Sequence, residues 1–347
     1  MPGDERVAVI DFAASAPAWA LPPRQMARIR ASVPQSWTVR VVETPTISDG
    51  DGGAGPSAEV LEAVVGAEVY AGFGIAEAIL EAGRDLRWVH SAAAGVGAAL
   101  SPTMLARDIL FTNSAGVHAV PIAEHVTGGL LFLLRSFDIA VDRQREGKWD
   151  RESFTGARTT VRELGECRVL IVGAGGVGTE IARRLSAFGA RCVGLRRNPR
   201  LGTPDGFDRV TGPDDLDAEL PASDVLILSV PHTAATNALI DARRLDALPA
   251  GAIVVNVARG ALLDERALAE RIGSGALRGA VLDVFREEPL AESSPLWHLR
   301  SVLLTPHVSA VSPGGYWDRE LALLLGNWQL YARGEAMKNV VDKRAGY

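Results

Sequence analysis

Cysteine is nearly absent: the 347 residues include only Cys167 and Cys192, each within an apolar, strand-like run. Two thiols cannot form a disulfide framework and are expected to be buried in a reducing compartment. No spaced Cys and His ligands suggest a structural zinc site, so no metal is expected. Long hydrophobic runs are also missing. The longest, around "GGLLFLLRSF", is interrupted by Arg135 and is too short to span a bilayer. The opening "MPGDERVAVIDFA" has no basic segment followed by a long apolar one, so no secretory signal is expected and the expected location is cytoplasmic. Positive charge is not in excess, with 36 Lys and Arg against 42 Asp and Glu and a net charge of −6. That balance argues against nonspecific nucleic-acid binding, which needs a broad cationic surface. There is no internal repeat, and the only biased tract, "SDGDGGAGPS", reads as a surface loop.

What is present is the composition of a globular protein, 47% apolar and 22% charged, at a length that suits about two domains. Short β-branched runs alternate with helix-like segments. "RVAVIDF", "TVRVVET", "AEVYAGFG", "LRWVHSA" and "DILFTNS" read as strands, with segments such as "SAEVLEAVVG" and "IAEAILEAG" between them. This alternation predicts βα units and a parallel sheet covered on both faces over about the first 110 residues. One long helix follows in "AVPIAEHVTGGLLFLLRSFDIAVDRQREGKW". Pro121 suits its first turn, and Ile122, Val126, Leu130, Leu133 and Phe137 recur at helical spacing. A second series then runs through "CRVLIVGAGGVG", "RCVGLRR", "SDVLILSV", "GAIVVNVAR", "RGAVLDVF" and "SVLLTPH". The closing helix, "DRELALLLGNWQLYARGE", is too short to be a domain and is expected to fold back on another unit.

The second series opens on a phosphate-binding pattern. In "LIVGAGGVGTEIARRL" a strand leads into Gly173, Gly175, Gly176, Val177 and Gly178, and then into a helix. In a dinucleotide site one glycine makes the turn, one lets the backbone reach a pyrophosphate and one lets helix and strand pack closely. The helix N-terminus adds N–H groups and partial positive charge. About twenty residues on, where a carboxylate commonly binds the adenosine ribose, "RCVGLRR" places Arg196 followed by Arg197. Two guanidiniums suit the 2′-phosphate of NADPH, which they can bind through paired hydrogen bonds. The other reading is that they are solvated cations at a strand end.

Three signatures close the later strands: Arg259 in "VVNVARGALLD", Asp283 and Glu288 in "VLDVFREEPL", and His307 in "LLTPHVSA". In an open parallel sheet the carboxyl ends of neighbouring strands face one crevice, the usual ligand site. Histidine exchanges protons near neutrality, a carboxylate partner favours its charged form, and arginine presents a fork that matches a planar carboxylate.

Taken in order, "VGAGGVGTEIARRLSAFGARCVG", "SVPHTAATNALID", "VNVARGALLDERAL", "LDVFREEPL" and "TPHVS" resemble the D-isomer-specific 2-hydroxyacid dehydrogenases. The resemblance extends from about "SAAAGVGA" through "TPHVSA". It implies two α/β domains, each a doubly wound parallel sheet of Rossmann or flavodoxin type. The dinucleotide domain, 113–308, would be inserted in a substrate domain made of 1–112 and 309–347. It also implies a homodimer with the Pro121 helix near the contact, and hydride transfer between a small 2-oxo acid and its D-2-hydroxy acid.

By motif position, Arg259 would bind the substrate's carboxylate and carbonyl. His307 would donate the proton, and Glu288 would hold its imidazole. Ala94 and Gly95 would offer backbone N–H groups to the carboxylate. Asp283 would lie beside the nicotinamide, with Pro231, Thr236 and Val257 also on the cofactor, which is NADP, with NAD possible. Glu287 leaves open a swap of roles with Glu288. Three positions depart from the family pattern: Ala310, which bears on packing beside the nicotinamide, Pro121, which stands where a hydroxyl residue is common, and the lack of an acidic residue after Gly95, which bears on substrate choice. His90 and His125 read as core or helix-surface residues, His118 as able to approach the cofactor, and His232 as near its phosphates or in solvent. Trp149 and Trp297 read as packing or pocket-wall residues.

The leading expectation is an NADPH-linked reductase of glyoxylate and hydroxypyruvate. An NAD-dependent phosphoglycerate dehydrogenase is the enzymatic alternative. It is opposed by the strand-end arginines and by the absence of a C-terminal regulatory domain. A formate dehydrogenase is disfavoured, because a carboxylate does not partner its histidine. A non-catalytic dinucleotide-sensing scaffold, like corepressors of the same fold, is the alternative of another class.

Overall fold

The computed structural model describes residues 6–34, 36–45, 47–48 and 54–346. The chain divides into two compact units, Met1–His118 with Val311–Tyr347, and Ala119–Ala310.

The first unit is built on β1 (Arg6–Asp11), β2 (Trp37–Val41), β5 (Val69–Gly72), β6 (Trp88–Ser91) and β7 (Leu110–Asn113). These are the five runs read as strands, and they form one parallel sheet in the order β2-β1-β5-β6-β7. That is the flavodoxin-like order, with helices on both faces. Alternation along each strand separates two cores. Val7 and Val9 of β1 pack on one side, while Ala8 and Ile10 pack on the other with Trp317, Leu321 and Trp328 of the helix Tyr316–Arg333. The returning helix is also tied through buried polar groups. His90 Nε2 lies 2.8 Å from Glu320 Oε1 and His90 Nδ1 lies 2.8 Å from Thr112 Oγ1. His90 is therefore a satisfied core residue. The surface loop expected at "SDGDGGAGPS" falls partly on 49–53, outside the described residues; β3 (Ile47–Ser48) and β4 (Ala54–Gly55) pair beside it.

The second unit carries β8 (Arg168–Val172), β9 (Arg191–Leu195), β10 (Arg209–Thr211), β11 (Val225–Leu228), β12 (Ile253–Asn256), β13 (Gly279–Leu282) and β14 (Val302–Leu304). All pairs are parallel, in the order β10-β9-β8-β11-β12-β13-β14. The order reverses between β8 and β11, the switch point at which open α/β sheets hold ligands. On β11, Val225 and Ile227 face one core and Leu226 and Leu228 the other, all fully buried. Each such side chain contributes about 1.5–3 kcal/mol by burial. Cys167 and Cys192 are buried in this unit, and burial pushes the Cys192 thiol up to about 12, so it stays protonated.

Two expectations are corrected here. The helix expected as one piece is two, Ala119–Leu134 and Phe137–Arg145. Ser136 breaks it by adopting φ +54°, with its hydroxyl 3.0 Å from Thr160 Oγ1. β10 was not anticipated, because Arg209–Thr211 offers a single apolar residue, whereas the equally short edge strand β14 reads Val-Leu-Leu. No helix of the described residues is long and apolar enough to cross a membrane.

Candidate active site

The switch point is shaped by the turn from β8 into the helix Gly176–Ala187. Gly173 sits at φ +116°, and a Cβ there would lie 2.6 Å from the carbonyl oxygen of Ser229. A Cβ at Gly178 would overlap the carbonyl oxygen of Gly173, so strand and helix meet only because both residues are glycine. At Gly175 nothing stands within 4 Å of where a Cβ would be. Gly176 and Val177 open the helix, whose first N–H groups lack helical partners. An open stretch of backbone at a helix N-terminus fits the pyrophosphate of a dinucleotide.

The neighbouring strand end is held to this turn. Gly173 N and Ala174 N both donate to Leu195 O at 2.9 Å, one residue before Arg196. Arg196 is half-buried, with its N–H bonded to Thr211 O at 3.0 Å, and Arg197 is exposed. After β11, Ser229 Oγ donates to Gly173 O at 2.9 Å. The following loop is closed by Thr236 Oγ1, which donates to Pro231 O at 2.8 Å and accepts from Thr233 N at 2.8 Å. His232 is exposed in this loop, 3.1 Å from Asn237 Oδ1.

At the end of β12, Asn256 is buried and fixes the next turn, with Nδ2 donating to Arg259 O at 2.9 Å and Oδ1 accepting from Ala258 N at 3.1 Å. Val257 is buried within that turn, and Arg259 is half-buried with Nη1 donating to Ala258 O at 2.6 Å. A Cβ on Gly260 would overlap the Phe285–Arg286 peptide, so the turn after Arg259 rests directly on the loop that carries Glu288.

Glu288, not Glu287, partners the histidine. Its Oε2 lies 2.9 Å from His307 Nδ1, and its Oε1 accepts from Phe285 N at 2.9 Å. One third of the His307 side chain is exposed, so the pair is reachable from solvent. His307 adopts φ +53°, and the turn holding it is organised by Asp283. That carboxylate is fully buried and accepts three donors, Thr305 Oγ1 at 2.6 Å, Val308 N at 2.9 Å and Ser309 N at 2.9 Å. Asp283 O also accepts from His307 N at 2.8 Å.

The structure thus brings Arg259, Asp283, Glu288 and His307 to adjacent strand ends of one sheet, with the glycine-rich turn and Arg196 at the ends of β8 and β9. Ala94 and Gly95 belong to the other unit, in the loop after β6, where Asn113 Nδ2 holds Ala94 O at 2.7 Å. His118 lies in that unit too, stacked on Tyr316 at 5.3 Å between ring centroids. Asn256 carries no distinct signal within "VVNVARGALLD". His125, expected in the core or on a helix surface, lies on the helix Ala119–Leu134 with its Nε2 3.2 Å from Thr305 Oγ1, next to Asp283. Trp149 and Trp297 are not packed as expected: they are 93% and 52% exposed.

A family model described as "D-isomer specific 2-hydroxyacid dehydrogenase, NAD binding domain" matches residues 127–309. Glyoxylate/hydroxypyruvate reductase A of Salmonella paratyphi B is 34% identical over 284 residues, spanning 77% of this chain and 83% of that protein. Among solved structures, a D-isomer specific 2-hydroxyacid dehydrogenase from Xanthobacter autotrophicus Py2, in complex with NADPH and MES, superposes with a TM-score of 0.78 at 27% identity. That match covers 99% of this chain and 100% of the other. A family member from Aeromonas salmonicida gives a TM-score of 0.79 at 25% identity, over 98% of this chain and 99% of the other.

Proposed function

The chain belongs to the D-isomer-specific 2-hydroxyacid dehydrogenases, and within that family we propose that it is an NADPH-linked reductase of small 2-oxo acids, glyoxylate and hydroxypyruvate first among them. It is an oxidoreductase by membership. The observation that carries the proposal is the 2.9 Å pair of His307 Nδ1 and Glu288 Oε2, held one strand away from the Arg259 turn. NADPH is favoured over NADH by Arg196 and Arg197 at the end of β9, and by the NADPH complex of the Xanthobacter relative. The cytoplasm is the proposed location.

A dinucleotide would be held by the Gly173–Gly178 turn and by Arg196 and Arg197, with Pro231, Thr236, Val257 and Asp283 as further proposed contacts; when bound, it supplies the hydride. Arg259 binds the substrate carboxylate and orients the carbonyl through its forked N–H groups. Ala94 and Gly95, in the first unit, are further proposed substrate contacts through their backbone N–H groups. Glu288 occupies Nδ1 of His307, which leaves Nε2 to deliver the proton to the carbonyl oxygen. As that oxygen becomes a hydroxyl, His307 becomes neutral, and it takes its next proton from water. The half-exposed position of the pair supports this reloading.

Replacing His307 by Gln tests the proton donor. With NADPH and glyoxylate, kcat is expected to fall by about 10²–10⁴-fold, while the NADPH dissociation constant changes by less than about threefold. A His307→Gln protein with near-normal kcat would remove histidine from the chemistry. A wild type that binds NADPH but turns over no 2-oxo acid would favour the scaffold reading.

A homodimer is the proposed assembly. The helix Phe137–Arg145 and the segment after it leave Phe137 51% and Trp149 93% exposed, two large apolar side chains that a subunit contact would cover.

A further inference from the structure

The segment Phe285–Glu288 must stay fixed if Glu288 is to hold His307, and a second carboxylate reaches it from outside the reacting groups. Glu265 is the first residue of the helix Glu265–Gly273. It does not cap that helix, because Asp264 Oδ1 already accepts from Ala267 N at 2.9 Å. Glu265 Oε1 accepts instead from Arg286 N at 2.6 Å. The loop is therefore pinned twice in succession, at Phe285 N by Glu288 itself and at Arg286 N by Glu265. Gly260, which follows Arg259, lies against the same Phe285–Arg286 peptide. Glu265 thus braces the loop on which both the Arg259 turn and the Glu288 carboxylate depend.

The residue type is informative. A carboxylate accepts the Arg286 N–H more strongly than a neutral amide would, although burial works against it here. Burial is the largest influence on Glu265 and raises its pKa. The Arg286 N–H and the Arg286 charge oppose that rise, while the charges of Glu287 and Glu288 add to it. A half-buried charge beside two like charges is a cost, and the stronger bond to Arg286 N offsets it.

We propose that Glu265 is a positioning residue for the Glu288–His307 pair: its charge-assisted hydrogen bond to Arg286 N fixes the loop that holds Glu288 against His307. The proposal rests on the reading that His307 and Glu288 handle the proton. A purely structural Glu265, serving only the first turn of its helix, would alter thermal stability and nothing else.

The test compares wild type, Glu265→Gln and Glu265→Ala as full chains, measuring kcat/KM for glyoxylate against pH at saturating NADPH, with NADPH binding measured separately. Glu265→Gln keeps the acceptor and loses the charge. Its kcat/KM at the wild-type optimum is expected to stay within about threefold, while the alkaline limb moves to lower pH by roughly 0.3–0.8 unit. Glu265→Ala loses both, and about a tenfold fall in kcat/KM is expected with the NADPH dissociation constant within twofold. Limbs coincident within 0.1 unit together with kcat/KM within twofold in both variants would overturn the proposal, whatever happens to Tm. If Glu265→Ala does not fold, the limb of Glu265→Gln decides alone. An active His307→Gln would instead show that the proton-donor reading had failed. An inactive His307→Gln beside Glu265 variants unmoved in both limb and kcat/KM would defeat only the role of Glu265.

Discussion

Asp283 and His307 show how much of this site depends on single residues. A non-glycine residue at φ +53° is held there only if its surroundings over-determine it. Asp283 does so by accepting Thr305 Oγ1, Val308 N and Ser309 N on one buried carboxylate. Asp283→Ala would leave the Ser309 N–H buried without its acceptor and release the Val308 N–H and the Thr305 hydroxyl from the turn. The expected result is a loss of about 2–4 kcal/mol in stability and at least about a hundredfold fall in kcat/KM for glyoxylate. Urea unfolding and steady-state kinetics measure the two effects, and changes within twofold in kcat/KM would show that the turn holds without Asp283. The residue types were legible in the sequence, because Arg259, Asp283, Glu288 and His307 each follow an apolar strand. Their pairing was not. Glu287 and Glu288 are adjacent and chemically equal, and only the path of the loop brings Glu288 to His307. Glu265 was not legible because it bonds to the backbone of another segment, which no local pattern encodes, whereas Asn256 acts within its own turn, where an asparagine beside an arginine motif carries no distinct signal.

Strands were legible wherever a short run was mainly apolar. All five strands of the first parallel sheet and six of the seven in the second were legible, and only the short edge strand β10 escaped. The helix break at Ser136 was invisible because apolar spacing continues across it and neither glycine nor proline marks it. That break starts the helix whose exposed Phe137, together with Trp149, motivates the dimer. Arg143 pulls the following segment back onto this helix, with Nε bonded to Asp150 Oδ2 at 2.9 Å and Nη1 to Glu146 Oε2 at 2.9 Å. A rigid segment that displays an exposed tryptophan is suited to a subunit contact. Sedimentation at micromolar concentration is expected to give twice the chain mass, and Trp149→Ala to raise the dimer dissociation constant by about tenfold or more. A wild type at single-chain mass would contradict the dimer.

At the scale of the molecule, two parallel sheets of different strand order are made by one chain that leaves the first unit near His118 and returns near Val311. The second sheet gathers the glycine-rich turn, the β9 arginines and the Arg259, Glu288 and His307 groups at the carboxyl ends of its strands. Those groups are legible from sequence because the fold places strand ends together whatever the loop details. Substrate size was not legible: the proposed substrate loop at Ala94 lacks the acidic residue of the family pattern.

The central claim is a 2-oxo acid reductase whose β9 arginines select NADPH, and the ratio of kcat/KM with NADPH to that with NADH tests it most directly. It would be measured with glyoxylate and hydroxypyruvate, in wild type and in Arg196→Asp. The account predicts a wild-type preference for NADPH of at least about tenfold, of the order that charge-assisted bonds to one phosphate supply, and its collapse in Arg196→Asp. Equal use of both cofactors, unchanged by the substitution, would contradict it and leave the arginines as ordinary surface charge.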